Sequence, residues 1–286
     1  MNEDLIQLAY RFIEQPFPLW ENELTTALVE NKWNELNQKG LSNRDLYSTA
    51  FAITFENRMP VVKLPISKST ENETVFLEFP QLDLSDFYEE HGLVLCNEEE
   101  LIASNALEKL KAAMAIFESI PDLHACISKL VRSIQVLKQD DPEIDTSYSH
   151  PKIPFSIFVS VCHDNSPLSA LRLAESIMHE AMHLKLTLLE NVIPLIEADS
   201  KATFYSPWRD EDRPIRGVLH GLFVFRGIGD FYKALGHFSN SDINPGFLKN
   251  RIDQINQEIK KIEDFHRCPG LTQEAANLLI NLSPLN

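Results

Sequence analysis

Long apolar runs are missing from this chain. No stretch approaches the roughly 20 apolar residues that a membrane-crossing helix needs, so a helical span is not expected. Cysteine is scarce and scattered. Cys96, Cys126, Cys162 and Cys268 are the only four in 286 residues, and none forms a C-x-x-C pair. That argues against a disulfide framework or a thiolate zinc site and leaves the thiols as small hydrophobes. Positive charge is in deficit: 26 Lys and Arg face 42 Asp and Glu, a net charge of −16. No basic stripe exists to track a phosphate backbone, so no nucleic-acid partner is expected. The acidity suits a cationic peptide partner, or serves solubility alone. The start, Met1-Asn2-Glu3-Asp4, is acidic and is not followed by an uninterrupted apolar stretch. It lacks the character of a secretory signal, and a cytoplasmic location is expected.

What remains has the composition of an ordinary globular protein, 44% apolar and 24% charged, long enough to bury a full core. The patterns predict a mainly helical α+β fold in a single folded unit, residues 1–286. Residues 1–140 read as a helical region with a small β insertion, and 145–240 as the core of a metal site. Leu5, Leu8, Ala9, Phe12 and Ile13 form one helical stripe, and Trp20, Leu24, Leu28, Trp33 and Leu36 a second. Ser42 begins a third predicted helix that runs to Phe55. Residues 61–66 and 75–79 read as strands joined by the polar run 67–73, and 92–96 as a further strand. From Glu98 to about Leu137 the spacing predicts helix, broken at Pro121. Gln139 to Glu143 is the best linker candidate. Thr146 to Ser160 reads as a loop feeding a strand over 155–161. Helices are predicted again over about 246–265 and 272–282.

Residues 179–183 read His-Glu-Ala-Met-His. Positions i and i+4 share one face of a helix, so His179 and His183 are placed to grip one metal ion. Glu180 lies on the flank, from which a carboxylate can reach a metal-bound water. Ser166-Pro167 supplies a cap and a first-turn proline. Leu168, Leu171, Ala174, Ile177, Met178, Ala181 and Leu188 then recur at helical spacing, which puts the motif inside a helix of about 167–189.

A catalytic metal usually takes three protein ligands. His220 follows His183 by 37 residues, enough for a loop and a returning helix. Five of the nine glycines (Gly217, Gly221, Gly227, Gly229 and Gly236) surround it. Each costs about 1 kcal/mol of helix propensity relative to alanine. Such a composition predicts a helix that another element approaches closely, here the metal helix, with a short sheet beside them. Glu197 and Asp199 are rival third ligands. His220 is alternatively a buried core histidine, and His163 and His237 lack a partner at ligand spacing. Arg209, Arg213 and Arg216 lie between the two helices beside Asp210, Glu211 and Asp212. They either pair locally or bind a substrate or cosubstrate carboxylate bidentately. Pro207 and Pro214 stiffen the segment, and Trp208 offers an apolar wall or simple packing.

Asp145-Thr146-Ser147-Tyr148-Ser149, Phe158-Val159-Ser160, the 179–183 motif, Ser206-Pro207-Trp208-Arg209, Arg213-Pro214 and Gly217-Val218-Leu219-His220-Gly221 form a set. Together they resemble the H-E-x-x-H peptide-modification proteins found beside ribosomally made peptide clusters, which are 2-oxoglutarate-dependent peptide β-hydroxylases. The matching blocks span about residues 145–235. The resemblance implies non-haem Fe(II) held by His179, His183 and His220, and 2-oxoglutarate on the iron with its far carboxylate on a nearby arginine. It implies a ribosomally synthesised precursor peptide as substrate. Glu180 then orients a ligand or a water instead of acting as a base. Two other functions fit the motif alone. One is a zinc metallopeptidase, in which Glu180 deprotonates a metal-bound water. The other is a non-catalytic peptide-binding module with a structural metal.

Overall fold

The computed structural model describes residues 3–38, 62–64, 75–139, 141, 144–162, 164, 166–237 and 244–282. Among these residues are ten α-helices and two small sheets, a mixed and mainly helical architecture. The chain forms two compact units. Val29–Leu184 make a central unit, and Met1–Leu28 with Lys185–Asn286 make a terminal one.

The central unit is built on a five-stranded sheet of order β1-β2-β3-β5-β4. Strand β1 (Val62–Leu64) runs antiparallel to β2 (Val75–Glu78). Strands β2, β3 (Ser133–Leu137) and β5 (Ser156–Ser160) are parallel neighbours, and β4 (Ser147–Ser149) closes the row antiparallel to β5. A parallel pair needs a crossover connection. Between β2 and β3 this includes α3 (Ser85–Glu90), α4 (Glu98–Ala103), α5 (Ala106–Glu118) and α6 (Pro121–Leu130). Every residue of β3 and β5 is buried, as expected for central parallel strands covered on both faces.

The sheet corrects three sequence readings. The helix predicted to reach Leu137 stops at Leu130, Val131 turns extended, and Ser133–Leu137 is strand β3. The branched Ile134 has strand partners on both sides, Leu77 and Ile157, while Val136 pairs with Val159 and accepts the Cys96 N–H, and that pairing overrides a helix-like apolar spacing. Residues 92–96 contribute only an isolated bridge, Leu95 to Leu137, and no strand. The loop expected before β5 contains β4 instead. The helix predicted over 42–55, the run 67–73, His163 and most of the 139–143 linker lie outside the described residues.

The helix predicted over 167–189 is α7 (Pro167–Glu190). Ser166 Oγ accepts the Ser169 N–H at 3.1 Å, which caps it. Asp164 accepts the Ser166 N–H at 2.8 Å and the Ser169 hydroxyl. These hydrogen bonds push the Asp164 pKa down to about 2. Leu171, Ala174, Ile177, Met178, Ala181 and Met182 of α7 are fully buried.

Helices α1 (Glu3–Glu14), α8 (Ile215–His237), α9 (Pro245–Lys260) and α10 (Gln273–Asn281) form most of the terminal unit. Helix α2 (Asn22–Gln38) starts in this unit and passes into the central one. The predicted α1 stripe is buried at Leu5, Ala9, Phe12 and Ile13. The Asn281 amide donates to the carbonyls of Ile13 and Glu14, at 2.9 and 3.1 Å, and so closes the end of α1. Lys185 is buried, its ammonium donating to the Glu21 carbonyl at 3.0 Å above the Phe12 ring. The arginine segment is not a loop but a hairpin, β6 (Thr203–Ser206) antiparallel to β7 (Glu211–Pro214). Thr203, Phe204, Tyr205 and Ser206 pair in register with Pro214, Arg213, Asp212 and Glu211, which lets the backbone close on itself.

Candidate metal centre

The half-exposed residues of α7 in the central unit, after its first turn, are Arg172, Glu175, His179 and His183. Their spacing of three and four residues is one line along the helix. A helix otherwise buried nearly all round thus has one accessible line, and both motif histidines stand on it. Their Nε2 atoms approach to 3.1 Å, with ring centroids 4.8 Å apart and planes at 64°. Two imidazole nitrogens each about 2.1 Å from one ion lie roughly 3.0 to 3.4 Å apart. The pair therefore fits two ligand positions of a single metal. Among the described residues, no group of three or more His, Cys, Asp or Glu side chains is gathered so as to hold an ion.

Glu180 is buried and fully engaged. Ser147 Oγ donates to its Oε1 at 2.6 Å, and Ser149 Oγ donates to its Oε2 at 2.5 Å. Strand periodicity explains the pairing, because residues i and i+2 point to the same face of a sheet. Tyr148 between them points to the other face. There it joins a polar and aromatic cluster, its hydroxyl 3.0 Å from His91 Nδ1 and its ring beside His91, His150 and Phe158. The nearest approach of Glu180 to the histidine pair is Oε1 to His179 Nε2, 3.9 Å. Arg172 of the accessible line is held by Asp145, Nε to Oδ2 at 2.8 Å. The sequence marked residues 145–149 only as part of a resemblance. The two serines at i and i+2 before a strand were the signal that a carboxylate is held from one face.

The other sequence-predicted residues lie in the terminal unit. His220 is buried on α8, with Nε2 3.1 Å from Glu190 Oε2. Glu190 also accepts from Arg216 at 2.6 and 3.0 Å, so Arg216, Glu190 and His220 form one chain of charges and hydrogen bonds. Burial pushes the Glu190 carboxyl up, but the hydrogen bonds and charges of His220 and Arg216 outweigh it and its pKa ends below the ordinary value. Glu190 was missed in the sequence. Its signal is its place seven residues after His183, two turns along the same face of α7.

Arg213 stands on β7 with Glu211 at 3.9 Å, and Arg209 is exposed in the β6–β7 turn. Glu197 and Asp199 are exposed, Asp199 with φ of 62°. Trp208 stacks on Phe225, centroids 5.0 Å apart and planes at 9°. It also explains one glycine: a Cβ on Gly221 would stand 2.7 Å from the Trp208 ring. At Gly221 the close neighbour is an indole. His237 ends α8, exposed. Cys126 and Cys162 are buried, Cys96 and Cys268 half-buried, and all four are free thiols.

Among the described residues no helix is long and apolar enough to cross a membrane. Comparison with known proteins finds no matching family model and no matching curated relative.

Proposed function

We propose that the chain is a non-haem Fe(II), 2-oxoglutarate-dependent dioxygenase that hydroxylates a side-chain β-carbon in a ribosomally made peptide. The observation that carries the choice is the state of Glu180. In a zinc peptidase this carboxylate must face a metal-bound water and take its proton. Here both of its oxygens accept serine hydroxyls inside the protein. A hydroxylase asks no base of it, and a carboxylate held in place beside a ligand histidine suits that chemistry.

His179 and His183 would hold the iron; the sequence favours His220 as the third ligand, which would have to exchange its Nε2 contact with Glu190 for the metal. When bound, Fe(II) with 2-oxoglutarate supplies the oxidation of a C–H bond by O2. The protein's own part is positional. The accessible line of α7 presents the histidines, burial keeps Glu180 out of bulk water, and an arginine of the 209–216 segment would take the far carboxylate of the cosubstrate. Arg213 and Arg209 are the preferred anchors, because Arg216 is already committed to Glu190.

The test is incubation of a precursor peptide with the protein, Fe(II), 2-oxoglutarate and O2, read by mass spectrometry. One added oxygen per modified residue, with succinate formed in step, is expected. Peptide-bond cleavage supported by zinc without 2-oxoglutarate replaces this function with the peptidase. A bound metal with neither reaction leaves a binding module.

A further inference from the structure

Two features stand outside the function above, a cavity at the start of α7 and the His91–Tyr148–His150 cluster; a third, the strand that clamps Glu180, supports it and carries a further consequence. The cavity, about 300 Å³, is bordered by Lys109, Cys162, Asp164 and Ser169. Four of the groups on its wall are already engaged with one another, Lys109 donating to the Cys162 carbonyl and Ser169 to Asp164. The cluster is a packing and titration feature. The clamp reaches the metal ligands.

We propose that Ser147 and Ser149 are positioning residues that act on the metal site through Glu180. This rests on the reading of His179 and His183 as ligands. The argument begins with competition for one nitrogen. Glu180 Oε1 lies 3.9 Å from His179 Nε2, about 1 Å beyond a good hydrogen bond. A buried carboxylate without donors is costly and takes the nearest donor within reach. For Glu180 that donor is the ring nitrogen of His179 which must face the metal. Two charge-assisted bonds at 2.6 and 2.5 Å, one to each oxygen, satisfy the carboxylate without the ring and hold it off the ring.

The strand makes this a rigid arrangement. Ser147 and Ser149 pair in register with Val159 and Ile157 of β5, so backbone hydrogen bonds fix both hydroxyls at once. Tyr148 anchors the same three residues from the other face. One serine would leave a carboxylate oxygen to rotate towards His179. Two, on alternate positions, leave it none.

The experiment titrates the purified full chain with Co(II), followed by its visible absorption, at one pH in the neutral range. Five proteins are compared: wild type, the double variant Ser147→Ala with Ser149→Ala, the double variant Ser147→Thr with Ser149→Thr, Glu180→Ala, and the double alanine variant on the Glu180→Ala background. Far-ultraviolet circular dichroism confirms folding. Loss of outer hydrogen bonds to a metal site typically lowers affinity about 10- to 100-fold, and a loss of that size is expected for the double alanine variant. The threonines keep the hydroxyls and are expected to stay near wild type. On the Glu180→Ala background the serine changes are expected to have little further effect, since the residue they act through is gone. A double alanine variant that binds Co(II) as wild type does, or that loses the same factor with and without Glu180, overturns the proposal while leaving the histidine ligands standing. A wild-type chain that does not bind Co(II) overturns the ligand reading, and the proposal with it.

Discussion

Single side chains carry most of what can be tested first. Gly221 is in a helix, where alanine is normally better by about 1 kcal/mol. Its Cβ would nevertheless meet the Trp208 ring at 2.7 Å, and that ring is pinned flat against Phe225. Overpacking of this kind costs about 1–3 kcal/mol, so Gly221→Ala is expected to lower stability in urea denaturation despite its better propensity. Gly236, with open space around its Cβ, is the control, and Gly236→Ala should not lose stability. If Gly221→Ala is as stable as Gly236→Ala, the indole is not a fixed wall. Glu180 gives the second test. Gln keeps the shape of the side chain and, as hydroxyls rotate, can keep hydrogen bonds to Ser147 and Ser149. Metal binding should survive Glu180→Gln, and hydroxylation should fall by less than about tenfold, far short of the loss a missing general base produces. The sequence made both residues visible for different reasons. A spaced motif announces a ligand face. A glycine-rich helix announces a close approach, but spacing alone does not say that the approaching group is an indole.

At the level of elements, the two-residue and 3.6-residue periods in the sequence located α7, α1, α9 and α10 well. They failed at β3. Helix and buried strand both present apolar runs there, and only the partners β2 and β5, distant in sequence, decide between them. Likewise Glu190 and Ser147 were invisible as site residues until strand and helix faces were fixed in space. The sheet makes two pH predictions. Glu78 lies in the row Glu78–Gln135–Phe158–Tyr148 across the four strands β2, β3, β5 and β4. Burial pushes its carboxyl well up, and the hydrogen bond with Gln135 offsets only part of that. A carboxyl raised on folding lends stability below its unfolded pKa of about 4.3 and loses it as pH rises through the folded value. Glu78→Gln, uncharged throughout, should therefore melt higher than wild type above neutral pH, with the gap closing towards pH of about 4. His150 has the opposite sign. Burial pushes its pKa down, and the nearby His91 and Lys152 push the same way against Glu90. Its Nδ1 already accepts the Lys152 N–H at 3.1 Å, a bond that protonation there removes. A histidine lowered on folding contributes stability above its unfolded pKa of about 6.5, lost as pH falls from there through the folded value. Melting of the wild type should drop over that window, and His150→Gln should flatten the drop; equal slopes in the two proteins would show that His150 is not the group responsible.

For the molecule as a whole, charge is the property that no single element reveals. A net charge of −16 on 286 residues sets up a negative potential that draws in basic peptides and repels acidic ones. Oppositely charged partners associate faster at low ionic strength, and the gain fades as the Debye length shrinks from about 10 Å at 0.1 M salt towards 3 Å at 1 M. The chemical step is a separate matter. It depends on groups held within a few ångströms of the histidines, where screening by bulk salt is weak. If the proposed substrate is a precursor peptide, steering and chemistry should separate in the kinetics. For a basic peptide, KM is expected to rise severalfold between about 0.05 and 0.5 M NaCl while kcat changes little. For the same peptide with its lysines and arginines replaced by glutamine away from the modified residue, KM should start higher and respond little to salt. A potassium sulfate series at matched ionic strength separates screening from specific anion effects. A KM for the basic peptide that is flat across the salt range would show that the acidic surface serves solubility and takes no part in substrate capture.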